Sequence, residues 1–324
     1  MAHLDDTTPA TRFDSFHVYR TFYKIGDHEI EVGILVPKEL KPGKHPLMVK
    51  FHGGGLVTGD CLYADWIGAF FVPLIHRTSS IVVLPNYRLT PEHTGADILA
   101  DLSDFWAWFA RGELTRYLQA KHAGLQLGTA NVLVTGDSAG GYMALMSGLL
   151  LHQHEHQHQN ANNIKAIFAQ YPMTNYLRRE PEAMLHGVPA PNKELVEHHV
   201  SRITPGTVLS SALPPARSDL SYALSAYGDY LKYFGQDAKL WPLGAIEDAK
   251  SMPSTWIVHG EADSIVLCQD SQDFVRKWTD REVKGEVKLS VVPGQEHGFD
   301  IGVKEDEEEW LKEGLKWVEE KWLA

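Results

Sequence analysis

The stretch that decides the fold is "LVTGDSAGGYMALM", residues 133–146, in which an apolar run leads into a serine between small residues. Its centre, Gly136 to Gly140, matches the pattern G-x-S-x-G around Ser138. The preceding run predicts a buried strand and the following run a helix, which is the setting of a nucleophile elbow. The hydroxyl of such a serine projects above the sheet at a helix N-terminus, where backbone N–H groups favour negative charge. Ser138 is therefore predicted to be a nucleophile.

Strand and helix patterns alternate on both sides of this elbow. The first two strands, 16–25 and 28–37, flank the turn pair Gly26-Asp27 and predict an antiparallel hairpin. Further strands are expected in 46–55, 79–89, 130–136, 164–172, 254–260 and 286–292, and helices in 96–110, 139–151, 267–279 and 304–322. This order predicts an α/β fold, with a mostly parallel central sheet, the antiparallel N-terminal hairpin and helices on both faces.

One long segment interrupts the alternation. Residues 175–249 carry short helical stretches broken by prolines and no strand pattern, and the segment is too long for a plain loop. We expect a helical cap there, inserted into a core formed by 1–174 and 250–324, with a contribution from residues 1–15 left open. Its many aromatic residues predict an apolar substrate pocket lined by Tyr227 and Phe234, together with Leu56 and Asp137 of the core.

A second motif, "FHGGGL" at 51–56, follows another predicted strand. Consecutive glycines let the main chain approach a substrate closely and point its N–H groups at a developing oxyanion. Gly53 and Gly54 are predicted donors, together with the N–H of Ala139 directly after the nucleophile.

A nucleophilic serine also needs a base and an acid that orients it, which in this fold follow in the order Ser, Asp, His. Asp263 lies just past the strand in "STWIVHGEADSIV", and His297 just past the last strand in "VKLSVVPGQEHGFD". Both are predicted to be catalytic. The rival base is His259, which lies at a strand end and precedes the acid. The rival acids are Asp270, Asp273 and Asp300.

The motifs "HGGG", "YRLTPEH", "GDSAGG", "HGEAD" and "EHGF", in this order and spacing, resemble the hormone-sensitive-lipase-like branch of the α/β-hydrolases over residues 45–172 and 250–324. The resemblance implies a serine carboxylesterase with a helical cap and no cofactor. It implies the triad Ser138, Asp263 and His297, and the oxyanion hole Gly53, Gly54 and Ala139.

The segment "NYRLTPEH", residues 86–93, departs from the family's usual Asp-Tyr-Arg-Leu-Ala-Pro-Glu-His, because Asn86 and Thr90 replace Asp and Ala. This segment is expected to be structural, with Arg88 and Glu92 bonded internally. The substitutions therefore bear on local stability and cap docking more than on chemistry.

Composition narrows the classes of partner. The 324 residues carry a net charge of −12 without a basic cluster, so neither a nucleic-acid nor an anionic-membrane partner is expected. No apolar run approaches the length of a membrane span, and the N-terminus lacks the pattern of a signal peptide. Cys61 and Cys268 are expected to be free thiols in a reducing compartment, so we predict a cytoplasmic protein.

The tract "LHQHEHQHQ" at 151–159 offers histidines at a spacing of two, but it lacks a carboxylate or thiolate framework. A solvated loop is expected there, and no metal.

The leading functional interpretation is hydrolysis of a small-molecule carboxylic ester through an acyl-enzyme. The same residues suit a thioesterase, a lactonase or an acyltransferase that releases a polyketide-type product. A ligand-binding receptor of the same fold is less favoured, because all three triad positions hold competent residues. A homodimer is left open.

Overall fold

The computed structural model describes residue 4 and residues 6–24, 28–153, 164–176 and 184–324. Within them the central sheet has eight strands in the order β1-β2-β4-β3-β5-β6-β9-β10. These strands are β1 (Phe16–Lys24), β2 (Ile30–Pro37), β3 (Gly43–Phe51), β4 (Ile81–Pro85), β5 (Leu125–Asp137), β6 (Ile164–Gln170), β9 (Ser254–Gly260) and β10 (Val287–Val292). β1 pairs antiparallel with β2, and β2 antiparallel with β4, whereas the remaining neighbours are parallel.

The α-helices in the described residues outside 184–249 are α1 (Phe71–Thr78), α2 (Gly95–Ala110), α3 (Glu113–Gln119), α4 (Ala139–Gln153), α9 (Cys268–Asp280) and α10 (Glu309–Trp322). We call residues 184–249 the cap segment. It contains β7 (Met184–Leu185), β8 (Val188–Pro189), α5 (Glu194–Val200), α6 (Ser218–Ala226), α7 (Tyr230–Tyr233) and α8 (Pro242–Ala245). None of the helices in the described ranges is long and apolar enough to cross a bilayer.

Alternation along the strands explains why helices cover both faces of the sheet. In β3, Leu47 and Val49 point into one apolar cluster and Met48 into the other. The first cluster also holds the buried sides of α2, α4 and α9, and the second those of α1 and α10. Strands buried on both faces carry nearly continuous apolar runs, as the sequence does. The predicted fold class is confirmed.

Several boundaries differ from the predictions. α10 begins at Glu309 instead of residue 304, since residues 305–307 form a turn and Lys304 pairs with Asp6. Within the described part of the segment 175–249, residues 184–189 form a short antiparallel hairpin, β7–β8, where no strand was expected. The turn Gly26-Asp27 and most of the histidine tract lie outside the described residues.

The predicted division into core and cap stays a prediction, as do the contribution of residues 1–15 to the cap, the cytoplasmic location and the homodimer. The described part of residues 1–15 contacts the short turn Ala64–Trp66 and Lys304.

The cap segment is joined to the core by main-chain hydrogen bonds. Gly59 and Ala212 exchange two N–H···O bonds of 2.8 Å, in the manner of paired strands. The N–H of Leu89 donates to the carbonyl of Leu209 at 2.8 Å. These bonds satisfy backbone groups at a buried junction, where an unpaired N–H would be costly.

A buried ion pair reinforces this junction. Arg217 donates to both carboxylate oxygens of Glu92, at 2.8 and 2.7 Å, and to the carbonyl of Thr90 at 2.8 Å. His199 of the cap segment also contacts Glu92, at 2.8 Å. Burial alone would raise the pKa of Glu92, but the hydrogen bonds from Arg217 and His199 and the Arg217 charge outweigh it and hold the pKa below its ordinary value. Glu92 therefore binds the cap segment.

Two other residues of the segment 86–93, Arg88 and Asn86, bond to side chains or backbone of the surrounding protein. Arg88 pairs with Asp101 at 2.8 Å inside the core. Asn86 accepts from the N–H of Cys61 at 2.7 Å and donates its amide to Asp60 at 3.3 Å. Ser211 of the cap segment donates to the same carboxylate at 2.6 Å. An aspartate at position 86 would face Asp60 without a proton to donate, so asparagine suits this neighbour.

We predict that Arg217→Ala lowers the free energy of unfolding by about 3–5 kcal/mol, because the buried carboxylate of Glu92 loses its bidentate partner and keeps only the contact with His199. The side chains of this pair are only 10% and 6% exposed. Equilibrium unfolding in urea measures the change.

The matched control is Arg111→Ala, which breaks an ion pair with Glu113 whose side chains are 57% and 37% exposed. It should change the free energy of unfolding by at most about 1 kcal/mol. Equal effects of the two substitutions would contradict the role of Arg217.

Candidate active site

The turn between β5 and α4 holds Ser138 in a left-handed conformation, with φ of +55°. Two glycines make this turn sterically feasible. A Cβ on Gly136 would lie 2.3 Å from the carbonyl group of Gly140, and a Cβ on Gly140 would lie 2.2 Å from the carbonyl oxygen of Phe51. Any side chain at these two positions would force the turn apart.

Ser138 lies on the wall of a cavity of about 230 Å³ beneath the cap segment. Its N–H donates to the carbonyl of Gln170 at 2.8 Å, which fixes the turn against β6. In the described part of the chain its hydroxyl has no hydrogen-bond partner, so it is available to groups inside the cavity.

His297 lines the same cavity, and Asp263 lies behind it. The Nδ1 atom of His297 is 2.7 Å from Oδ2 of Asp263, while Oδ1 of Asp263 accepts from the N–H groups of Ile265 and Val266 at 2.9 and 2.8 Å. Burial alone would raise the pKa of Asp263, but the His297 charge and the hydrogen bonds from His259 and His297 hold it well below its usual range. The carboxylate is therefore ionised and orients the imidazole.

The rival base occupies a different position. His259 is fully buried, with Nδ1 2.8 Å from the hydroxyl of Ser271 and Nε2 2.8 Å from the carbonyl of Val266. Its Nε2 is also 3.2 Å from Asp263. His259 thus contacts Asp263 but is not part of the cavity wall.

The rival acids are also engaged elsewhere. Asp300 is buried and accepts from Tyr171 at 2.7 Å and from the amide of Gln170. Burial raises its pKa, and the charge of Asp137 adds to the shift. Asp270 and Asp273 lie in α9, where Asp273 pairs with Arg276 at 2.6 Å.

The glycine turn after β3 borders the cavity at Gly54, which has φ of +96°. A Cβ there would lie 2.1 Å from the carbonyl oxygen of Thr58, so only glycine fits. In the ranges that the structure describes, the N–H groups of Gly53, Gly54 and Ala139 donate to no acceptor. Gly53 and Ala139 adjoin the cavity residues Gly54 and Ser138 in the chain, so three open donors lie near the serine.

Of the four predicted pocket residues, only Asp137 lines the cavity, and Leu56, Tyr227 and Phe234 do not. Leu56 and Phe234 are fully buried in the apolar core, and the hydroxyl of Tyr227 donates to the carbonyl of Pro191 at 2.6 Å. Tyr227 and Phe234 thus pack within the protein and do not face the cavity.

The cap side of the cavity carries a set of residues that the sequence analysis did not single out: Leu185, His186, Ser218, Ser221, Tyr222 and Ser225. Four of them recur at helical spacing, which is the signal that could have identified them.

A second missed residue is Lys50, a lysine inside the apolar run of β3. Its ammonium lies 2.5 Å from Oδ1 of Asp137, and its side chain is only 3% exposed. The other carboxylate oxygen, Oδ2 of Asp137, borders Gly53, because a Cβ on Gly53 would lie 2.4 Å from this oxygen. Lys50 thus balances a negative charge directly beside the three open N–H groups.

His52, which precedes the glycines, is buried and stacks on Tyr87 with ring centroids 4.4 Å apart. Its Nδ1 lies 2.8 Å from the carbonyl of Gly53. Burial lowers the pKa of His52 to about 4, so the ring is neutral at physiological pH.

One group in the described residues has the composition of a metal site. Glu31, Asp60 and Cys61 place possible ligand atoms within 4.8 Å of one another. Asp60 already accepts hydrogen bonds from Leu62, Asn86 and Ser211. Burial raises the pKa of the Cys61 thiol well above its usual value, and a protonated thiol is a poor ligand. We assign no metal to this group. Cys61 and Cys268 are both buried free thiols.

Comparison with known proteins agrees with the fold. Residues 48–301, well over half of the chain, match the model of a family with the α/β-hydrolase fold. Over 328 residues the chain is 27% identical to a probable carboxylesterase, M8, of Phoma sp., across 96% of this chain and 98% of that protein. Over 338 residues it is 25% identical to the non-reducing polyketide synthase Preu6 of Preussia isomera, across 94% of this chain and 15% of that protein.

Among solved structures, the thermophilic carboxylesterase EstE1 from a metagenomic library superposes with a TM-score of 0.62 at 20% identity, over 94% of this chain and 89% of that one. The chain belongs to the α/β-hydrolase family, in its hormone-sensitive-lipase-like branch. The predicted class of enzyme, a carboxylic ester hydrolase of this fold, is confirmed at that level.

We predict that Lys50→Met lowers the free energy of unfolding by about 3–5 kcal/mol, because Asp137 is left charged and buried without its partner. The double variant Lys50→Met/Asp137→Asn should recover a large part of this loss, since both charges are then removed. Urea unfolding of the two single variants and the double variant measures the coupling. Additive losses would contradict the pairing.

A second prediction concerns pH. An unfolded histidine titrates near about 6.5, so between about pH 6.5 and the folded pKa of His52, about 4, only the unfolded chain binds this proton. Stability is therefore lost as the pH falls through this window. Between pH 7 and pH 5 the wild type should lose about 2 kcal/mol more than His52→Gln. Unfolding free energies at the two pH values test this, and identical losses would refute it.

Proposed function

We propose that the protein hydrolyses small-molecule carboxylic esters through an acyl-enzyme on Ser138, with His297 as base and Asp263 as its orienting acid. The observation that carries this proposal is the 2.7 Å contact between Nδ1 of His297 and Asp263, in the same cavity as Ser138. A proton held on Nδ1 by the carboxylate leaves Nε2 free to accept one from a hydroxyl.

In the acylation step, Nε2 of His297 takes the hydroxyl proton of Ser138. At the same time Oγ of Ser138 bonds to the carbonyl carbon of the ester. The carbonyl oxygen becomes negative, and the N–H groups of Gly53, Gly54 and Ala139 stabilise it. The imidazolium then gives its proton to the departing alcohol oxygen as the C–O bond breaks. In the second half, His297 takes a proton from water, the hydroxide bonds to the acyl carbon, and Ser138 leaves with that proton.

Electrostatics around the site support these roles. Asp263 remains ionised, which stabilises the imidazolium that forms in each half-reaction. Lys50 offsets the charge of Asp137, which would otherwise oppose an oxyanion next to Gly53. The strained conformation of Ser138 and the start of α4 place the hydroxyl at a helix N-terminus, where negative charge is favoured.

A thioester substrate is the second candidate, because the same acyl-enzyme forms from either ester. Its support is the alignment of nearly the whole chain with a part of the polyketide synthase Preu6. Matched acyl p-nitrophenyl esters and N-acetylcysteamine thioesters distinguish the two functions. Faster release from the thioester, or transfer to an added alcohol in preference to water, would favour the alternative.

We predict that Ser138→Ala and His297→Ala each lower kcat for p-nitrophenyl butyrate by about 10⁴-fold or more, and that the double variant is little worse. The two residues act in one proton-coupled step, so their losses do not add. Asp263→Asn should fold normally and lose about 10⁴-fold, since an amide cannot hold the same tautomer. Steady-state kinetics and thermal unfolding of each variant provide the measurement.

The control is Ser103→Ala, which alters a serine in α2 whose hydroxyl bonds to the carbonyl of Leu99 in its own helix. This variant should react with a fluorophosphonate probe as the wild type does, whereas Ser138→Ala should not be labelled. Near-wild-type turnover or labelling of Ser138→Ala would refute the proposed nucleophile.

A further inference from the structure

Helix α6 presents a row of hydroxyl groups to the cavity of Ser138. Residues three, four and seven positions apart share one face of a helix. On α6 this face consists of Ser218, Ser221, Tyr222 and Ser225, all of which line the cavity. The opposite side of the helix packs Leu220 and Leu224 into the core. A pocket for a plain alkyl chain would be expected to carry apolar residues on this face.

The hydroxyls of this row have spare hydrogen-bonding capacity. Ser225 is only 4% exposed, and its hydroxyl has no partner in the described ranges of the chain. Ser221 reaches the carbonyl of Gly54 only at 3.5 Å, which is a long contact. A serine hydroxyl can donate one hydrogen bond and accept two, and buried polar groups are normally paired. Partners for this row must therefore come from the contents of the cavity.

One member of this row of hydroxyl groups, Ser221, lies next to the proposed reacting centre. A Cβ on Gly55 would lie 2.4 Å from Oγ of Ser221, so this serine touches the glycine turn beside the proposed oxyanion donors. From Ser218 to Ser225 the helix rises by about 10 Å, close to the length of a substituted ring. The remaining wall is largely apolar, with Trp66, Met173, Leu185, Ile265 and Ile301.

We infer that the substrate is an ester whose acyl or alcohol part carries hydroxyl or carbonyl oxygens along one edge and an apolar surface on the other. These oxygens bind the α6 row, while the apolar face lies against the opposite wall. The inference rests on the proposed ester hydrolysis and adds the class of ester. An unfunctionalised alkyl ester leaves the row unpaired and is a poorer substrate.

The test compares esters that differ in one remote hydroxyl. In the acyl arm, p-nitrophenyl 3-phenylpropanoate is compared with its 3-hydroxyphenyl analogue. In the alcohol arm, phenyl butyrate is compared with 3-hydroxyphenyl butyrate. Each pair has similar intrinsic reactivity, which is checked by measuring alkaline hydrolysis without enzyme. We expect kcat/KM to favour the hydroxylated ester by about three- to tenfold in one arm, which also tells which part of the ester faces α6.

Variants connect this preference to the row. Ser225→Ala and Ser221→Ala should each move the ratio of the two kcat/KM values towards one, and the double variant should move it further. The matched control is Asp219→Asn on the exposed side of the same helix, which should keep the wild-type ratio. Thermal unfolding verifies that each variant is folded.

The outcomes separate this inference from the proposed function. If the wild type hydrolyses plain and hydroxylated esters equally in both arms, the hydroxyls bind only water and the inference is overturned, while ester hydrolysis stands. A preference that survives the double variant also overturns it. If no ester is hydrolysed and the fluorophosphonate probe does not label Ser138, the proposed function itself fails.

Discussion

The site depends on a steric constraint, the close approach of three chain segments around the turn at Ser138. β5 must end, reverse and enter α4 within one residue, and that residue adopts φ of +55°. The turn is held because Gly136 and Gly140 lack a Cβ, which lets the backbone of Phe51 in β3 come within contact distance. The same approach brings the glycine turn after β3 beside the serine. A conformation that costs energy is thus maintained by the packing of the surrounding sheet.

Three buried carboxylates lie near this turn, and each has different bonding partners. Asp137 is neutralised by Lys50, and Asp263 is held ionised by His297 and by backbone N–H groups. Asp300 has a pKa raised mainly by burial, and it accepts hydrogen bonds from Tyr171 and Gln170. Separate environments allow neighbouring acids of one chemical type to serve separate roles. Only the carboxylate that contacts His297 is both ionised and in reach of the imidazole.

The core and the candidate triad could be predicted because both are encoded locally. Strand and helix periods, followed by a short motif at each strand end, place Ser138, Asp263 and His297 without knowledge of the tertiary structure. The substrate wall could not be predicted in this way. Aromatic residues such as Phe234 suit a core and a pocket equally well, and their direction depends on how the cap packs. Lys50 was missed because its partner, Asp137, lies 87 positions further along the chain.

The junction between the cap segment and the core has an evolutionary consequence. Its bonds join the backbone of Gly59 to that of Ala212 and the backbone of Leu89 to that of Leu209, and backbone atoms are common to all residue types. Arg217, His199 and Ser211 add the side-chain contacts described above. Substitutions on the cavity face of α6 would therefore leave these backbone bonds in place, so the cavity wall can change in evolution while the rest of the fold stays the same. Related chains could diverge in the molecules they accept by changing a few positions of one short helix.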